Sequence, residues 1–254
     1  MKDLKLNLKD SVVLISGANR GIGNAIALEL LARGAKKVYA GTRDLGAIDA
    51  TESSYEGKLV PLQLDVTDEA SINNAAKLAT DVDILINNAG VLLGDSLLNS
   101  DSLNNLKIHF DVNVIGLMKL TQAFLPSIRS KAKGAIVSIS SLAGLGNMPV
   151  IGSYSVSKAA VHSIIQGLRG DLTNESVAVI GVYPGPIDTE MAKGFEMDKD
   201  SPQAVAKSIA DGIENGVEDV FPDQMSLQVE PLYMGNPKAV ETEFGMYVAP
   251  VNQD

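Results

Sequence analysis

The chain has 254 residues, 45% of them hydrophobic and 20% charged, so it is long enough to bury a large core in one domain. It has no cysteine and only two histidines, which excludes disulfides, a thiol nucleophile and the usual kinds of zinc centre. The formal net charge of −10 at pH 7 argues against nucleic acids and anionic membranes as partners.

The first residues, Met1 to Lys5, carry charges where a signal peptide has an apolar segment. No run approaches the roughly 18 uninterrupted apolar residues of a membrane-spanning helix. We therefore expect a cytoplasmic protein without a membrane span.

The first unit of the chain combines a strand, a glycine-rich loop and a helix. The β-branched run Val12–Ile15 predicts a buried parallel strand, and Asn24–Leu31 predicts a helix. Between them lies Ser16–Gly23, whose glycines follow a GxxxGxG spacing. Glycine clusters are often plain turns, but a strand and a helix on either side favour a site for a pyrophosphate at the helix N-terminus. The residues expected to hold it are Gly17, Asn19, Arg20, Gly21, Ile22 and Gly23.

Further apolar runs alternate with helical patterns along the rest of the chain. The predicted strands are Lys37–Gly41, Leu59–Leu64, Val82–Ile86, Ala135–Ile139, Val177–Val182 and a shorter one at Val220–Asp223. Helices are predicted after Thr67, over Leu103–Leu125, and from the region of Tyr154 to about Leu172. This alternation predicts one doubly wound parallel α/β sheet with helices on both faces and no internal domain boundary over residues 1–254.

Polar motifs follow directly on these predicted strands. They are Thr42-Arg43, Asp65, Asn87–Gly90, Ser140-Ser141 and Tyr183–Gly185. Ligands of open α/β sheets bind beyond the carboxyl ends of the strands, so the motifs are expected to meet at one edge.

Tyr154 and Lys158 are four residues apart, which places them on one face of a helix. An ammonium beside a phenol is expected to lower the pKa of the tyrosine from about 10. Tyr154 could then exchange a proton with a carbonyl or alcohol oxygen, and Ser141, thirteen residues upstream, could bind the same oxygen. The plainer alternative is a surface tyrosine and a solvated lysine.

With these motifs in place, the chain resembles the short-chain dehydrogenase/reductase family over about Val12 to Met191. The resemblance rests on the glycine loop, Asn87–Gly90, Asn113, Ser141, Tyr154, Lys158 and Pro184–Thr189. It implies a single-domain Rossmann-like fold with about seven strands. Ser16 stands where the family usually has threonine, and the family's closing strand with Asp-Gly-Gly is absent.

The resemblance implies a catalytic set of Asn113, Ser141, Tyr154 and Lys158. Tyr154 would protonate the nascent alkoxide, Lys158 would lower its pKa and bind the nicotinamide ribose, and Ser141 would polarise the carbonyl. Asn113 would hold a water next to Lys158; its plainer alternative is a polar link between a helix and a strand.

The cofactor implied is NADPH. Thr42 stands at the end of the second strand, where NAD-selecting enzymes carry an acid, and Arg43 and Arg20 could clamp a 2′-phosphate. A solvated Arg43 is the alternative, and Asp44 would lie nearer the ribose if the strand ended one residue later.

Further cofactor contacts are implied at other strand ends. Asp65 and Val66 would meet the adenine, although Asp65 could instead be a helix-proximal cap. The other residues implied are Asn87, Ala89 and Gly90 on the ribose side, and Pro184, Gly185, Ile187 and Thr189 near the carboxamide.

Apolar residues are expected to surround the substrate. They are Val91, Leu92, Leu93, Leu145, Met148, Val150 and the segment 191–197, within a lid and C-terminal region spanning about 190–254. Such a pocket predicts hydrophobic ketones or aldehydes as substrates.

The sequence thus predicts an NADPH-dependent carbonyl reductase, reversible as an alcohol dehydrogenase. A dinucleotide-sensing protein without turnover and a sugar-nucleotide epimerase or dehydratase are the alternatives. The resemblance implies a homodimer, with a tetramer as the alternative, because in the family the helices that carry Asn113 and Tyr154 build the main dimer interface. Here Ala159, Ala160, Ser163 and Gly167 would let a partner helix approach closely. His109 and His162 are expected to be packing or subunit-contact residues.

Overall fold

Strands and helices alternate along the residues that the computed structural model describes, which are 5–48, 55 and 57–248. The strands are β1 Val12–Ser16, β2 Lys37–Thr42, β3 Leu59–Gln63, β4 Ile84–Asn87, β5 Gly134–Ile139, β6 Val177–Val182 and β7 Asp219–Val220. The α-helices are α1 Gly21–Ala32, α2 Glu69–Leu78, α3 Ser102–His109, α4 Leu117–Arg129, α5 Gly152–Asp171, α6 Pro202–Asn215, α7 Gln224–Gly235 and α8 Pro237–Phe244.

All seven strands pair in parallel, in the order β3-β2-β1-β4-β5-β6-β7. The order reverses direction between β1 and β4, which is the switch point at which such sheets bind ligands. The prediction of a single-domain, Rossmann-like parallel sheet is confirmed.

Both faces of the sheet are buried, because successive strand residues point to opposite sides. Leu14, Leu85 and Ile136 face one core, which α2, α4 and α5 cover. Ile15, Ile86 and Val137 face the other, which α1 and α6 cover. These strands therefore consist almost entirely of apolar residues, and burying each such side chain contributes about 1.5–3 kcal/mol.

The predicted helix Leu103–Leu125 is interrupted. A π-helical segment, Phe110–Gly116, lies between α3 and α4 and carries Asn113. The apolar pattern of a helix does not reveal such a segment. Single π turns of this kind are frequently found at functional sites.

The last strand is shorter and earlier than the predicted Val220–Asp223. It ends at Val220 because Pro222 has no N–H for a ladder and Asp223 caps the next helix. Asp223 and Ser226 form a reciprocal capping box at the start of α7.

In the described part of the chain, no helix is both long and apolar enough to cross a membrane. The predicted lid and C-terminal region extends past this part at residues 249–254.

Candidate active site

A cleft of about 990 Å³ lies at the carboxyl ends of the strands, across the switch point of the sheet. It has the size of a small-molecule site. The predicted site residues that line it are Gly17, Asn19, Arg20, Gly21, Ile22, Gly23, Thr42, Arg43, Asp65, Val66, Ala89, Gly90, Ser141, Tyr154, Lys158, Pro184, Gly185, Ile187 and Thr189. Asn87 and Asn113 are not among the lining residues.

The glycine loop forms a cradle that larger residues would fill. Gly17 has a φ of +66°, and a Cβ there would lie 3.0 Å from the Cα of Ala89. At Gly23 a Cβ would lie 2.4 Å from the carbonyl oxygen of Gly17. The first turn of α1 has neither a side-chain cap nor an acidic residue, so its N–H groups are available to a phosphate. The cradle therefore fits the pyrophosphate of a dinucleotide.

Asn88 holds this loop against β4. Its Nδ2 donates to the carbonyl oxygens of Ser16 (2.9 Å) and Gly17 (3.0 Å). The Ser16 hydroxyl in turn accepts from the amides of Asn88 and Ala89, which is a contact that the usual threonine could also make. Sequence reasoning noted Asn88 only as part of a motif.

Asn87 does not line the cleft, and its side chain is hydrogen-bonded to a helix; its contact with the cofactor stays a prediction. Its side chain is buried and donates to the Thr121 hydroxyl at 3.0 Å. Asn87 lies two residues after Leu85 in β4, so both side chains point to the face that α4 covers. The alternation along the strand could have predicted this.

β2 ends at Thr42, the position expected to face the ribose. Its hydroxyl is buried and bonds the main chain of Asp44, while the Asp44 carboxylate accepts from the Gly46 amide at 3.0 Å. Asp44 is thus a turn cap. Arg43 and Arg20 are both exposed and both line the cleft, and together they place two guanidinium groups on its rim.

Asp65 combines the two alternatives that the sequence left open. Its carboxylate accepts from the amide (2.9 Å) and the hydroxyl (2.7 Å) of Thr67, so it caps that turn. It also lines the cleft. Burial raises its pKa, but the Thr67 bonds and the charge of Arg43 outweigh this and lower it.

Ser140 and Ser141 both line the cleft, but their hydroxyls have different partners. Ser140 is buried and donates to the Lys158 carbonyl at 3.1 Å. Ser141 caps a short 3₁₀ turn, Leu142–Gly144: its hydroxyl accepts from the Ala143 amide at 3.2 Å and donates to the Pro184 carbonyl at 3.3 Å. Its hydroxyl also acts to lower the pKa of the nearby Tyr154 phenol.

Tyr154 and Lys158 lie on one face of α5, but their pKa values differ from the expectation. Burial raises the pKa of Tyr154 to about 12, although the bond with Ser141 opposes this. Burial also lowers the pKa of Lys158 to about 8. The lysine Nζ is 5.6 Å from the centroid of the tyrosine ring and donates to the Ile139 carbonyl at 2.8 Å. Because the ammonium is bonded to the Ile139 carbonyl and burial dominates at Tyr154, the predicted lowering of the Tyr154 pKa is wrong.

Asn113 is buried in the π-helical segment, and its side-chain amide forms hydrogen bonds with the loop after β4. Its Oδ1 accepts from the Val91 amide at 2.9 Å, and its Nδ2 donates to the Val91 carbonyl at 3.1 Å and to the Ser157 hydroxyl at 3.0 Å. These bonds match the plainer alternative of a structural link. The predicted water next to Lys158 stays a prediction.

Asp223 was missed by sequence reasoning although it supports the loop after β6. It is buried, and its Oδ2 accepts from the Gly185 amide at 2.9 Å. The residues Asp223-Gln224-Met225-Ser226, at the start of a helix, were a signal for a cap.

The substrate end of the cleft is largely apolar. Val91, Leu92, Met148 and Val150 line it as expected, whereas Leu93 and Leu145 do not. Other lining residues, which the sequence did not single out, are Ile108, Val112, Met225 and Tyr247.

The segment expected to cover the substrate is a loop closed at its base. The Asp188 amide donates to the Asp200 carbonyl at 3.0 Å. Within the loop, Lys199 Nζ donates to the carbonyls of Ala192 (3.3 Å) and Phe195 (2.9 Å). Met191, Phe195 and Met197 line the cleft from this loop.

The two histidines lie in different surroundings. His162 is half-buried and bonds the Tyr183 hydroxyl at 2.8 Å. His109 is fully buried, with its ring edge-on to that of Tyr154 and the centroids 5.8 Å apart.

Known proteins are similar to this chain in sequence and in fold. A sequence model for short chain dehydrogenase matches residues 11–200. The chain is 31% identical over 209 residues to an uncharacterized oxidoreductase of Staphylococcus aureus (strain USA300), covering 80% of this chain and 90% of that protein. It is also 31% identical over 210 residues to an NADP-dependent 3-hydroxy acid dehydrogenase of Schizosaccharomyces pombe, covering 79% and 81% respectively. A crystal structure of a short chain dehydrogenase from Burkholderia cenocepacia J2315 in complex with NADP is similar with a TM-score of 0.88 and 29% identity, covering 96% of this chain and 100% of that one.

Proposed function

Since the chain belongs to the short-chain dehydrogenase/reductase family and is an oxidoreductase of that family, we propose that it reduces a hydrophobic ketone or aldehyde to an alcohol with NADPH. The observation that supports this best is the continuity of one cleft. The glycine cradle, the Ser141–Tyr154 pair and an apolar wall all line it.

Tyr154 and Ser141 are suited to act on a carbonyl oxygen. Both hydroxyls can bond the oxygen, which polarises the C=O bond. NADPH, when bound, supplies the hydride that forms the new C–H bond. Tyr154 then gives its proton to the oxygen, so that the product is a neutral alcohol. A phenol whose pKa is about 12 holds this proton at neutral pH, which suits the direction of reduction.

Lys158 is suited to support that proton transfer. Lys158 is buried one helical turn from Tyr154 and lines the cleft, with its Nζ 5.6 Å from the centroid of the tyrosine ring. An ammonium there stabilises the phenolate that is left after the transfer.

NADPH is the favoured cofactor because of the charges at the end of β2. Arg20 and Arg43 are exposed on the cleft rim, and Asp44 is bonded within its own turn. Charge-assisted bonds from two guanidiniums favour a 2′-phosphate in a protein whose net charge would repel it. The NADP-dependent relative and the NADP complex support this choice.

The apolar wall supports an uncharged substrate. Leu92, Val112, Met148, Val150 and Phe195 surround the space beside Tyr154. These five side chains offer no charge to a carboxylate, so burying one against them costs free energy.

A panel assay tests the proposal. NADPH consumption is measured with an aliphatic ketone, an aromatic aldehyde, a 3-oxo acid and a sugar. We expect hydrophobic carbonyls to give the highest kcat/KM. A preference for the 3-oxo acid or the sugar would contradict the substrate class, and binding of NADPH without turnover on any carbonyl would favour a sensing protein.

A further inference from the structure

Three buried polar side chains form a connected cluster behind the wall of the cleft. Asp95 lies in the loop after β4, His109 is the last residue of α3, and Ser153 immediately precedes Tyr154 in α5. Their exposed fractions are 5%, 0% and 0%. None of the three lines the cleft. Buried polar groups are stable only when bonded, so their contacts indicate their role.

The direction of each hydrogen bond in this cluster follows from its neighbours. The Leu93 amide can only donate, and it lies 2.9 Å from His109 Nε2, so Nε2 is the acceptor. In the neutral ring the proton then lies on Nδ1, which donates to the Ser153 hydroxyl at 2.9 Å. The hydroxyl donates in turn to the carboxylate of Asp95, at 2.8 and 2.9 Å from its two oxygens. The result is one aligned chain from Leu93 to Asp95.

Asp95 also caps the helix that carries Tyr154. The N-cap residue of α5, Ile151, provides no side-chain cap. Asp95 Oδ1 accepts from the Ser153 amide at 3.2 Å, and the Asp95 carbonyl accepts from the Gly152 amide at 2.8 Å. A carboxylate at this position also interacts favourably with the helix dipole. The other carboxylate oxygen accepts from Asn105 in α3 at 3.1 Å.

The cluster thereby joins three elements around Tyr154. It fixes the first turn of α5, the end of α3 and the loop that carries Leu92. The ring of His109 packs edge-on against the ring of Tyr154. A shift in any of these bonds would move the phenol relative to the substrate wall.

We propose that Asp95, Ser153 and His109 are positioning residues that hold the Tyr154 hydroxyl and the Leu92 wall in place for hydride and proton transfer. This inference rests on the proposed function, because it assigns a role within the same site. It adds three residues that touch neither substrate nor cofactor.

Ser153→Ala tests the link between His109 and Asp95, since it removes only the central hydroxyl. We expect kcat to fall by about tenfold to 10²-fold, the range produced by misplacing reacting groups by up to about 1 Å. The Kd for NADPH, measured by fluorescence, should stay within about twofold, because the cluster does not line the cofactor half of the cleft. Ser11→Ala is the control: it removes a buried hydroxyl that donates to the Leu8 carbonyl at 2.7 Å and does not line the cleft. It should retain kcat.

A pair of His109 variants separates positioning from simple packing. His109→Gln keeps an acceptor for the Leu93 amide, whereas His109→Leu removes it at similar volume. Hydrogen exchange of the Leu93 amide should be slow in the wild type and in His109→Gln, and fast in His109→Leu. kcat should be partly rescued in His109→Gln relative to His109→Leu.

The pH profile gives a second signature. Protonation of Nε2 would replace the acceptor with a donor facing the Leu93 amide. The titratable groups that face His109 are Asp95 from the loop and Tyr154 and Lys158 from α5. Burial lowers the pKa of His109 below 6.5; the charge of Asp95 opposes this shift, and the charge of Lys158 adds to it. Wild-type kcat should therefore fall as the pH drops below 6.5, and His109→Gln should lack that decrease.

Wild-type kcat in Ser153→Ala and His109→Leu would overturn the positioning role. So would unchanged Leu93 exchange in His109→Leu. If the wild type reduced no carbonyl at all, the proposed function would fail, whereas the exchange measurement would still decide whether the hydrogen-bond network exists.

Discussion

At the scale of single residues, burial controls the protonation of Tyr154 and Lys158. Both side chains are almost inaccessible to water, and the low-dielectric surroundings favour their neutral forms. The spacing of the two residues predicts their shared helix face but not the direction of the Lys158 ammonium. That direction depends on the Ile139 carbonyl, which lies 19 residues earlier in the chain. The sign of the Tyr154 shift therefore could not be read from the sequence.

Tyr154→Phe removes the hydroxyl that would transfer the proton and little else. We expect kcat to fall by about 10²–10⁴-fold, with NADPH affinity retained, because general acid catalysis contributes in that range. Steady-state kinetics with the best carbonyl of the panel measures this. Tyr39→Phe, which removes a hydroxyl bonded to Asp81 far from the cleft, is the control. Near wild-type turnover in Tyr154→Phe would disprove the assigned acid.

Lys158→Met should change how stability depends on pH. The pKa of Lys158 is about 8 in the folded protein and about 10.5 in an unfolded chain. The stabilisation due to this lowered pKa is present above pH 10.5 and is lost as the pH falls through about 8. The wild type should therefore gain up to about 3 kcal/mol of unfolding free energy relative to the variant between pH 8 and 10.5.

Urea unfolding of both proteins across this pH range measures the difference. Lys9→Met, which removes an exposed ammonium, is the matched control. Parallel curves for the wild type and Lys158→Met would show that burial of the ammonium does not destabilise the fold.

At the scale of elements, most strands could be predicted to within two residues, because each is a short apolar run that the sheet buries on both faces. The π-helical segment Phe110–Gly116 could not be predicted, because its extra residue leaves the apolar pattern of the helix nearly unchanged. The end of β7 could have been predicted, because Pro222 cannot continue a ladder of hydrogen bonds and aspartate, here Asp223, is a common helix cap. β2 extends one residue beyond the predicted Lys37–Gly41, to Thr42.

Replacing Thr42 with Asp and Arg43 with Ile should shift the preference from NADPH toward NADH. The change removes one guanidinium and adds a carboxylate at the end of β2. Each charge-assisted contact contributes about 1.5–3 kcal/mol, so the ratio of kcat/KM values should change at least about tenfold.

Lys36→Ile, which removes an exposed positive charge just before the opposite end of β2, is the matched control and should leave the ratio unchanged. An equal change in both variants would point to a general charge effect. A wild type that already prefers NADH would refute the assignment of Arg20 and Arg43.

At the scale of the whole molecule, the order of the strands brings together motifs that are up to about 170 residues apart in sequence. This convergence was predictable from strand alternation alone. The contacts between the loops that complete the cleft were not, because they depend on polar bonds across the fold, such as that from Gly185 to Asp223.

The surface of α5 supports the proposal of a homodimer. Ala159, Ser163 and Gly167 are exposed at successive turns of this helix, and a Cβ at Gly167 would meet no atom within 4 Å. Small residues at this spacing would allow two helices to pack closely.

Ser163→Arg should convert a dimer to monomers, because it places a long charged side chain at the centre of that face. Light scattering at micromolar concentration measures the mass, which is 26.7 kDa for one chain. Asn215→Arg, on the exposed surface of α6, is the control and should leave the mass unchanged. A monomeric wild type would contradict the proposal.

The loop that is closed by the hydrogen bond between Asp188 and Asp200 can change in sequence independently of the sheet. Its ends are already joined, so lengthening or rewriting the residues between them adds only a small entropic cost. The sheet and the glycine cradle need not change when this segment does. Selection, or a protein engineer, can therefore change residues 190–199 to alter the substrate while Thr189 and the rest of the expected cofactor site stay as they are.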